Sequence, residues 1–237
     1  MNEYENKRFS VLGDSISTLE GYSEPEYAAF YEGMKMFEAD VFSPRDTWWG
    51  KVIARLGGSL LVNDSFSGST VCRHRNHEIP SYASSDERTS HLSLGECRPD
   101  VIMVFMGIND WGHGTAPTPE ARLHADDPVF SISYGTMLDK LQRNYPDASL
   151  WCFTLPVSAW SRNENFVFPY YYAGRHIAEY CEVIRDEAAA RGCRVIDLHG
   201  NGKPYDTIDG FHPNVYGMQT LAETILGCLQ AEAGDTV

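Results

Sequence analysis

The sequence predicts a three-layer α/β/α sandwich around a mostly parallel, five-stranded sheet. Two observations lead to this prediction: five short apolar runs alternate with segments of helical periodicity, and the runs are apolar on both faces. Strands of that kind are typical of a parallel sheet that helices cover on both sides. Alternation of strand and helix implies right-handed crossovers, which place the helices in two outer layers.

The five predicted strands are short and end at turn residues. The third, PDVIMVFMG in context, is a continuous apolar run between Pro99 and Gly107. The first run ends at Gly13, and the second follows a Gly-Gly pair. The predicted strands span residues 8–12, 59–63, 100–106, 148–155 and 193–198.

Four helices are predicted from apolar residues that recur on one face. The first begins after an N-cap at Asp46 or Thr47 and ends at Gly57 and Gly58. The others carry the same periodicity, and Gly192 follows the third of them. The predicted helices span residues 48–56, 132–144, 172–191 and 215–229.

The composition is that of an ordinary globular domain. The chain has 237 residues, of which 43% are hydrophobic and 22% charged, so a single domain over residues 1–237 is expected. Two segments belong to none of the predicted strands and helices of the sandwich, and we interpret them as loop insertions at about 18–45 and 74–98. Loops of this length are usually functional or disordered.

The charge balance disfavours two classes of partner. Asp and Glu number 33 against 19 Lys and Arg, giving a formal net charge of −14, which repels nucleic acid and anionic lipid surfaces. The longest apolar run, residues 101–106, is too short to insert across a membrane. Because no leader peptide is visible, a cytoplasmic location is expected.

Four short segments stand at predicted carboxyl ends of strands or directly before the last helix. They read FSVLGDSIS with Ser15, NDSFSGST with Gly68, FMGINDWG with Asn109, and DGFHPN with Asp209 and His212. Ligand sites of open parallel sheets lie outside the carboxyl ends of the strands, so we expect these segments to converge. Together they supply a hydroxyl, an imidazole, a carboxylate and amide donors, which acyl transfer requires.

Each segment also has a plainer interpretation when taken alone. Ser15 suits a helix N-cap, Gly68 suits a turn, and Asn109 suits a turn or a cap. Asp209 and His212 also suit two ligands of a metal site, although no further ligand cluster lies near them in the sequence.

In order and context, the four segments resemble the conserved blocks of the SGNH/GDSL hydrolases. The resemblance runs from Gly13 to His212 and includes the GDS, GxND and DxxH patterns. It implies a flavodoxin-like sandwich, the SGNH hydrolase fold, and an esterase, lipase, thioesterase or carbohydrate deacetylase activity. It also implies that neither a metal nor an organic cofactor is needed. The GxSxG pattern of the common α/β-hydrolases is absent from the sequence.

The resemblance also implies a role for each matching residue. Ser15 would be the nucleophile, His212 its general base, and Asp209 the carboxylate that orients the imidazole. The backbone N–H groups of Ser15 and Gly68, with the side-chain amide of Asn109, would form the oxyanion hole. The chemistry is consistent with this, because a serine hydroxyl needs an adjacent base near neutral pH.

Two charged positions are candidates for contact with substrate. Asp14 precedes the nucleophile candidate and suits either that contact or bracing of the loop. Arg73 begins a basic cluster that suits either a solvated loop or a contact with an anionic or polyhydroxylated leaving group. The cluster consists of Arg73, His74, Arg75 and His77.

Aromatic residues crowd three predicted loops, where they suit the core, sugar faces, or an acyl or aryl group. Among them, Trp111 and Trp160 are the further candidates for substrate contact. The three groups are Tyr22, Tyr27, Phe30 and Tyr31; Trp111; and Trp160, Phe166, Phe168, Tyr170, Tyr171 and Tyr172.

The function that the sequence favours is a serine esterase acting on a small-molecule or carbohydrate ester. Polar, aromatic-bearing loops and the lack of a long apolar lid favour deacetylation. Two alternatives stay open: an acyl-CoA thioesterase or lysophospholipase-type activity, which needs a deep apolar channel, and a non-catalytic module that binds glycans or a protein on the same fold.

Overall fold

The computed structural model describes residues 3–74, 82–201 and 203–234. Its strands are β1 (Arg8–Gly13), β2 (Ser59–Ser65), β3 (Val101–Phe105), β4 (Ser149–Phe153), β5 (Ser158–Ala159), β6 (Tyr171–Tyr172), β7 (Arg175–His176), β8 (Arg194–Ile196) and β9 (Tyr205–Asp206). Five of them form a sheet in the order β2-β1-β3-β4-β8, and every neighbouring pair is parallel. The predicted fold class is therefore confirmed.

The helices connect and cover these strands. They are α1 (Met34–Ala39), α2 (Trp48–Leu56), α3 (Asp86–Ser90), α4 (Ile108–Gly112), α5 (Phe130–Asn144), α6 (Ile177–Ala190) and α7 (Val215–Gly234). Of the two predicted caps of α2, Thr47 is the one used: its side chain accepts the Gly50 N–H, and Gly57 ends the helix in a left-handed conformation. No helix among the described residues is long and apolar enough to cross a lipid bilayer.

Two apolar layers enclose the sheet. Successive residues of β3 alternate between them: Val101 and Met103 pack with α2 and α7, whereas Ile102 and Val104 pack with α5 and α6. This alternation is why the strand is apolar throughout, since neither face meets water. The sheet therefore holds the carboxyl ends of β1 and β3 rigidly side by side.

The prediction for the third helix was wrong at its start. The helix α6 begins at Ile177 rather than at residue 172, because the antiparallel β6–β7 hairpin precedes it. Ala173 and Gly174 turn this hairpin with φ angles of 48° and 77°, which a right-handed helix cannot contain. His176 then caps α6, because its ring nitrogen accepts the Ala178 N–H and Glu179 accepts the His176 N–H.

Both segments that were predicted to be loop insertions contain short helices. The first insertion includes α1, and the second includes α3. Residues 75–81 of the second insertion, with Arg75 and His77 of the predicted basic cluster, lie outside the described residues.

Candidate active site

The loop that follows β1 presents Ser15 at the carboxyl end of the sheet. A 3-10 turn runs over Ser15–Ser17, and the Asp14 carboxylate accepts the Ile16 N–H at 3.1 Å. A Cβ atom at Gly13 would stand 2.6 Å from Ser17 Cβ and 2.7 Å from Ser65 Oγ. Only glycine therefore lets β1 and this turn pack so closely.

The candidate base lies directly against the candidate nucleophile. Nε2 of His212 is 2.9 Å from Ser15 Oγ, and Nδ1 is 2.7 Å from Asp209 Oδ2. Asp209 Oδ1 also accepts the backbone N–H groups of Phe211 and His212, at 3.0 and 2.8 Å. One turn of the DxxH segment thus places the carboxylate and the imidazole in contact.

The protonation state of Asp209 determines the tautomer of the ring. Burial opposes its ionisation, but hydrogen bonds from His212 and the Phe211 N–H outweigh burial and lower the pKa of Asp209 to about 2. An ionised carboxylate only accepts, so the hydrogen of neutral His212 sits on Nδ1. The bare Nε2 therefore faces the Ser15 hydroxyl, as proton removal requires.

Asn109 lies on α4, beside the segment that contains Gly68. Its side-chain Nδ2 donates to the Ser69 carbonyl at 2.8 Å, which fixes the amide against that segment. Gly68 has a φ angle of 81°, in the left-handed region that favours glycine. The neighbouring Asp110 accepts the backbone N–H groups of Val71 and Cys72, at 2.7 and 3.0 Å.

Asp110 therefore braces the loop after β2 from within the protein. Burial raises its pKa to about 6, although hydrogen bonds from the Val71 and Cys72 N–H groups favour the charged form. Through Asp110 and Asn109, α4 holds the end of the neighbouring loop.

A cavity of about 250 Å³ opens in front of these groups. Ser15, Asn109 and His212 stand on its wall, and the rest of the lining is largely apolar. Trp111 is buried in that wall and donates its indole N–H to the Arg175 carbonyl at 3.1 Å. The apolar part of the lining consists of Ile16, Ile108, Trp111, Tyr172 and Phe211.

A family model for GDSL-like lipase/acylhydrolase matches residues 7–156, which is more than half of the chain. The chain belongs to this family. It is therefore a hydrolase of ester bonds. A curated relative, a multidomain esterase from Ruminococcus flavefaciens, is 29% identical over 148 residues, or 57% of this chain. The chain spans only 17% of that relative's length.

Solved structures share the fold over nearly the whole chain. A protein from Bacteroides ovatus described as a GDSL-like lipase is 26% identical, with a TM-score of 0.71 over 96% of this chain and 99% of its own. One from Bacteroides uniformis is 27% identical, with a TM-score of 0.69 over 95% and 96%. A carbohydrate acetylesterase from Sinorhizobium meliloti has the fold at 16% identity, with a TM-score of 0.62 over 95% and 99%.

Of the four predicted substrate contacts, only Trp111 lines the cavity in front of Ser15. Asp14 is 1% exposed and braces the Ser15 turn instead, so its burial argues against a contact with substrate. The guanidinium of Arg73 lies 5.9 Å from the centre of the Tyr82 ring. Trp160 packs edge-on against Phe166, with ring centres 6.0 Å apart. Neither is part of the described cavity wall.

Arg88, a fully buried residue of α3, was not among the predicted site residues. Its guanidinium donates to Asp64 Oδ2 at 2.6 Å, to Ser69 Oγ at 2.9 Å and to the Gly13 carbonyl at 3.1 Å. It thereby joins the ends of β1 and β2 beneath the site. No sequence pattern indicated this, because the segment around Arg88 has no periodicity.

No third side chain among the described residues joins Asp209 and His212 to make a metal site. Within the described ranges, no group of three or more His, Cys, Asp or Glu side chains is placed to hold a metal ion. The His212 nitrogen that faces the cavity lies against the Ser15 hydroxyl.

Because Asp14 is buried, we expect the free energy of unfolding to depend on pH. Burial, reinforced by the charge of Asp110, raises its pKa from 3.8 to about 7. A carboxyl whose pKa rises on folding favours the folded state at low pH, and that contribution disappears as pH rises from about 4 to about 7, by up to roughly 4 kcal/mol. Asp14→Asn keeps an oxygen for the Ile16 N–H but carries no charge.

We therefore expect Asp14→Asn to raise the free energy of unfolding at pH 8, relative to the native sequence, by about 2–4 kcal/mol, with little change at pH 4. Urea unfolding at both pH values measures this difference. Asp147→Asn, on the exposed surface, is the control and should behave alike at both. An equal loss of stability at pH 4 and pH 8 in Asp14→Asn would contradict the argument.

Proposed function

We propose that this hydrolase cleaves short-chain acyl esters of hydroxylated alcohols through a serine acyl-enzyme. The observation that supports this best is the chain of contacts from Asp209 through His212 to Ser15 Oγ, which ends at a small apolar cavity. The family supplies the reaction class, and the geometry supports these three residues as its catalytic machinery.

In the first half of the reaction, His212 Nε2 takes the proton of Ser15 Oγ as the oxygen attacks the ester carbonyl carbon. The carbonyl π pair moves to its oxygen, where Asn109 Nδ2 and the N–H groups of Ser15 and Gly68 would donate to the negative charge. As the carbonyl re-forms, the C–O bond to the alcohol breaks. His212 Nε2–H then protonates the leaving alkoxide.

In the second half, His212 acts again as a base. It removes a proton from a water that attacks the acyl-Ser15 carbonyl, and the tetrahedral intermediate collapses to release the acid and return the proton to Ser15 Oγ. Asp209 stays ionised throughout, because its pKa of about 2 lies far below the working range. Its charge stabilises the imidazolium that forms in both halves.

The size of the catalytic cavity supports a short acyl group. An apolar cavity of about 150 Å³ holds a single benzene ring, so about 250 Å³ accommodates an acetyl, butyryl or benzoyl group. A chain of sixteen carbons exceeds it. This argues against a lysophospholipase or a long-chain thioesterase.

A neighbouring cavity supports a hydroxylated alcohol part. It measures about 310 Å³ and shares His113 with the catalytic cavity. Its described wall offers His124, Asp127, Thr115 and Arg175, which mix hydrogen-bond donors and acceptors. Sugar hydroxyls both donate and accept, so they match such a wall better than an alkyl chain does. The acetylesterase from Sinorhizobium meliloti acts within this substrate class.

A substrate panel tests the proposed function. With p-nitrophenyl esters, we expect kcat/KM to be greatest for acyl groups of two to four carbons and to fall by about tenfold or more by twelve carbons, since a chain that outgrows the cavity has to force its packed wall apart, which typically costs about 1–3 kcal/mol. Acetylated oligosaccharides should also be deacetylated, as measured by acetate release. Ser15→Ala, run on every substrate, is the control for background hydrolysis.

Three outcomes would contradict the proposal. A maximum at twelve to sixteen carbons would favour a lipase or lysophospholipase. Acyl-CoA substrates that greatly exceed all oxygen esters in kcat/KM would favour a thioesterase. Failure to hydrolyse any member of the panel would favour the binding module.

A further inference from the structure

An aromatic ring from the first insertion lies flat on the imidazole of His212. The ring centres of Phe30 and His212 are 3.5 Å apart, and the two planes are inclined by only 9°. Phe30 is not part of the cavity wall in the described residues. Its contact is therefore with the proposed base and not with the space for substrate.

On one side of this contact, hydrogen bonds connect the insertion to the 3-10 turn that contains Ser15. Thr18 Oγ1 donates to the Ser15 carbonyl at 2.8 Å and accepts the Phe30 N–H at 2.8 Å. The backbone that carries Phe30 is thus one side chain away from the backbone of Ser15.

On the other side, the insertion is tied to the loop of the base. The buried Tyr31 donates its hydroxyl to the Pro213 carbonyl at 2.7 Å. Tyr31 also packs edge-on against Phe30, with ring centres 5.1 Å apart. Since Pro213 follows His212 directly, Phe30 and Tyr31 hold both the ring and the backbone of this position.

Asp209 and Phe30 together fix the orientation of the His212 imidazole. Asp209 binds Nδ1 and Ser15 Oγ lies against Nε2, and two hydrogen bonds in the plane of the ring leave it able to tilt about the line that joins them. A flat contact at 3.5 Å opposes such tilting because it would cause a clash or lose the stacked area. Aiming Nε2 at Ser15 Oγ then requires both contacts.

We propose that Phe30 is a positioning residue, which holds the His212 ring in the orientation that aims Nε2 at Ser15. The inference rests on the proposed serine mechanism and extends it to the insertion after β1. It also gives that insertion a function, since removing its Phe30–Tyr31 segment would remove both the stacked ring and the Tyr31–Pro213 hydrogen bond from the position of the base.

The test compares three substitutions on p-nitrophenyl acetate. Phe30→Leu removes the flat ring while keeping an apolar side chain, and we expect kcat to fall by about tenfold, equivalent to about 1.4 kcal/mol, with KM changed less than about twofold. Phe30→Tyr keeps the flat ring and should restore kcat to within about twofold. Phe37→Leu is the matched control, because Phe37 lies in the same insertion but is 66% exposed.

Thermal unfolding of each variant sets an assay temperature at which all are folded, and Phe30→Met replaces Phe30→Leu should the latter not fold. A kcat equal to that of the native sequence in the aliphatic variant would overturn the inference. So would a rise in KM alone, which would make Phe30 a substrate contact, or an equal loss in Phe30→Leu and Phe30→Tyr. Ser15→Ala is assayed in parallel: native activity there overturns the serine mechanism itself, whereas an inactive Ser15→Ala beside a fully active Phe30→Leu overturns only this inference.

Discussion

Replacing Ser15 by alanine is expected to lower kcat by about 10⁴-fold or more, which is the usual cost of removing a nucleophile. The side chain makes one hydrogen bond to His212 and is 5% exposed, so the fold should survive its truncation. The measurement is kcat on the best ester of the panel, with circular dichroism to verify folding.

Ser17→Ala is the matched control for this variant. Ser17 belongs to the same 3-10 turn and is also buried, but its hydroxyl accepts from the Trp48 indole instead of contacting His212. We expect its kcat to stay within about tenfold of the native value, since no transition-state contact is lost. Similar losses in the two variants would mean that the turn, and not the Ser15 hydroxyl, is what activity needs.

Removing the base should cost nearly as much as removing the nucleophile, and removing its carboxylate partner less. We expect His212→Ala to match Ser15→Ala in kcat and Asp209→Asn to lose about 10²-fold less than either, as triads behave when one member only orients another. An asparagine amide can donate to Nδ1, which stabilises the tautomer with hydrogen on Nε2. That tautomer cannot accept the Ser15 proton.

Combining Ser15→Ala with His212→Ala should add almost nothing to either loss, because residues that act as a unit are not additive. Asp206→Asn is the control for Asp209→Asn: Asp206 is close in sequence but bonds Ser161 and Asn214, so kcat should stay within about tenfold. If Asp209→Asn proved fully active, or if the two losses multiplied, the proposed triad would be wrong.

The five strands of the parallel sheet were predictable from sequence because their cause is local, whereas the two-residue strands β5, β6, β7 and β9 were not predicted. The run from Val101 to Phe105 is apolar at every position, and its shortness, between Pro99 and Gly107, favours a strand buried on both faces over a buried helix. The helix α6 was misplaced because Tyr172 fits its apolar period, while the deciding turn at Ala173 and Gly174 depends on the pairing of β6 with β7. The hydrophobic period of a segment carries no information about such a pairing.

In the candidate site, too, the contacts with a local cause were predictable and the others were not. Asp209 and His212 are three residues apart, so their contact follows from one turn, and the carboxyl ends of parallel strands bring Ser15 and Asn109 to the same edge. The contacts of Phe30 and Arg88 have no local origin. The neighbouring Tyr31 reaches a partner 182 residues away in the sequence, and the buried guanidinium of Arg88 lies in a segment without pattern. Such contacts arise only when the insertions fold back on the sheet.

The central claim, a covalent acyl-enzyme on Ser15, is tested most directly by mass spectrometry after reaction with a fluorophosphonate. We predict one adduct per chain, on the peptide that contains Ser15, with none in Ser15→Ala and much slower formation in His212→Ala. An adduct on another residue would contradict the account, as would ester hydrolysis that persists with Ser15 unlabelled.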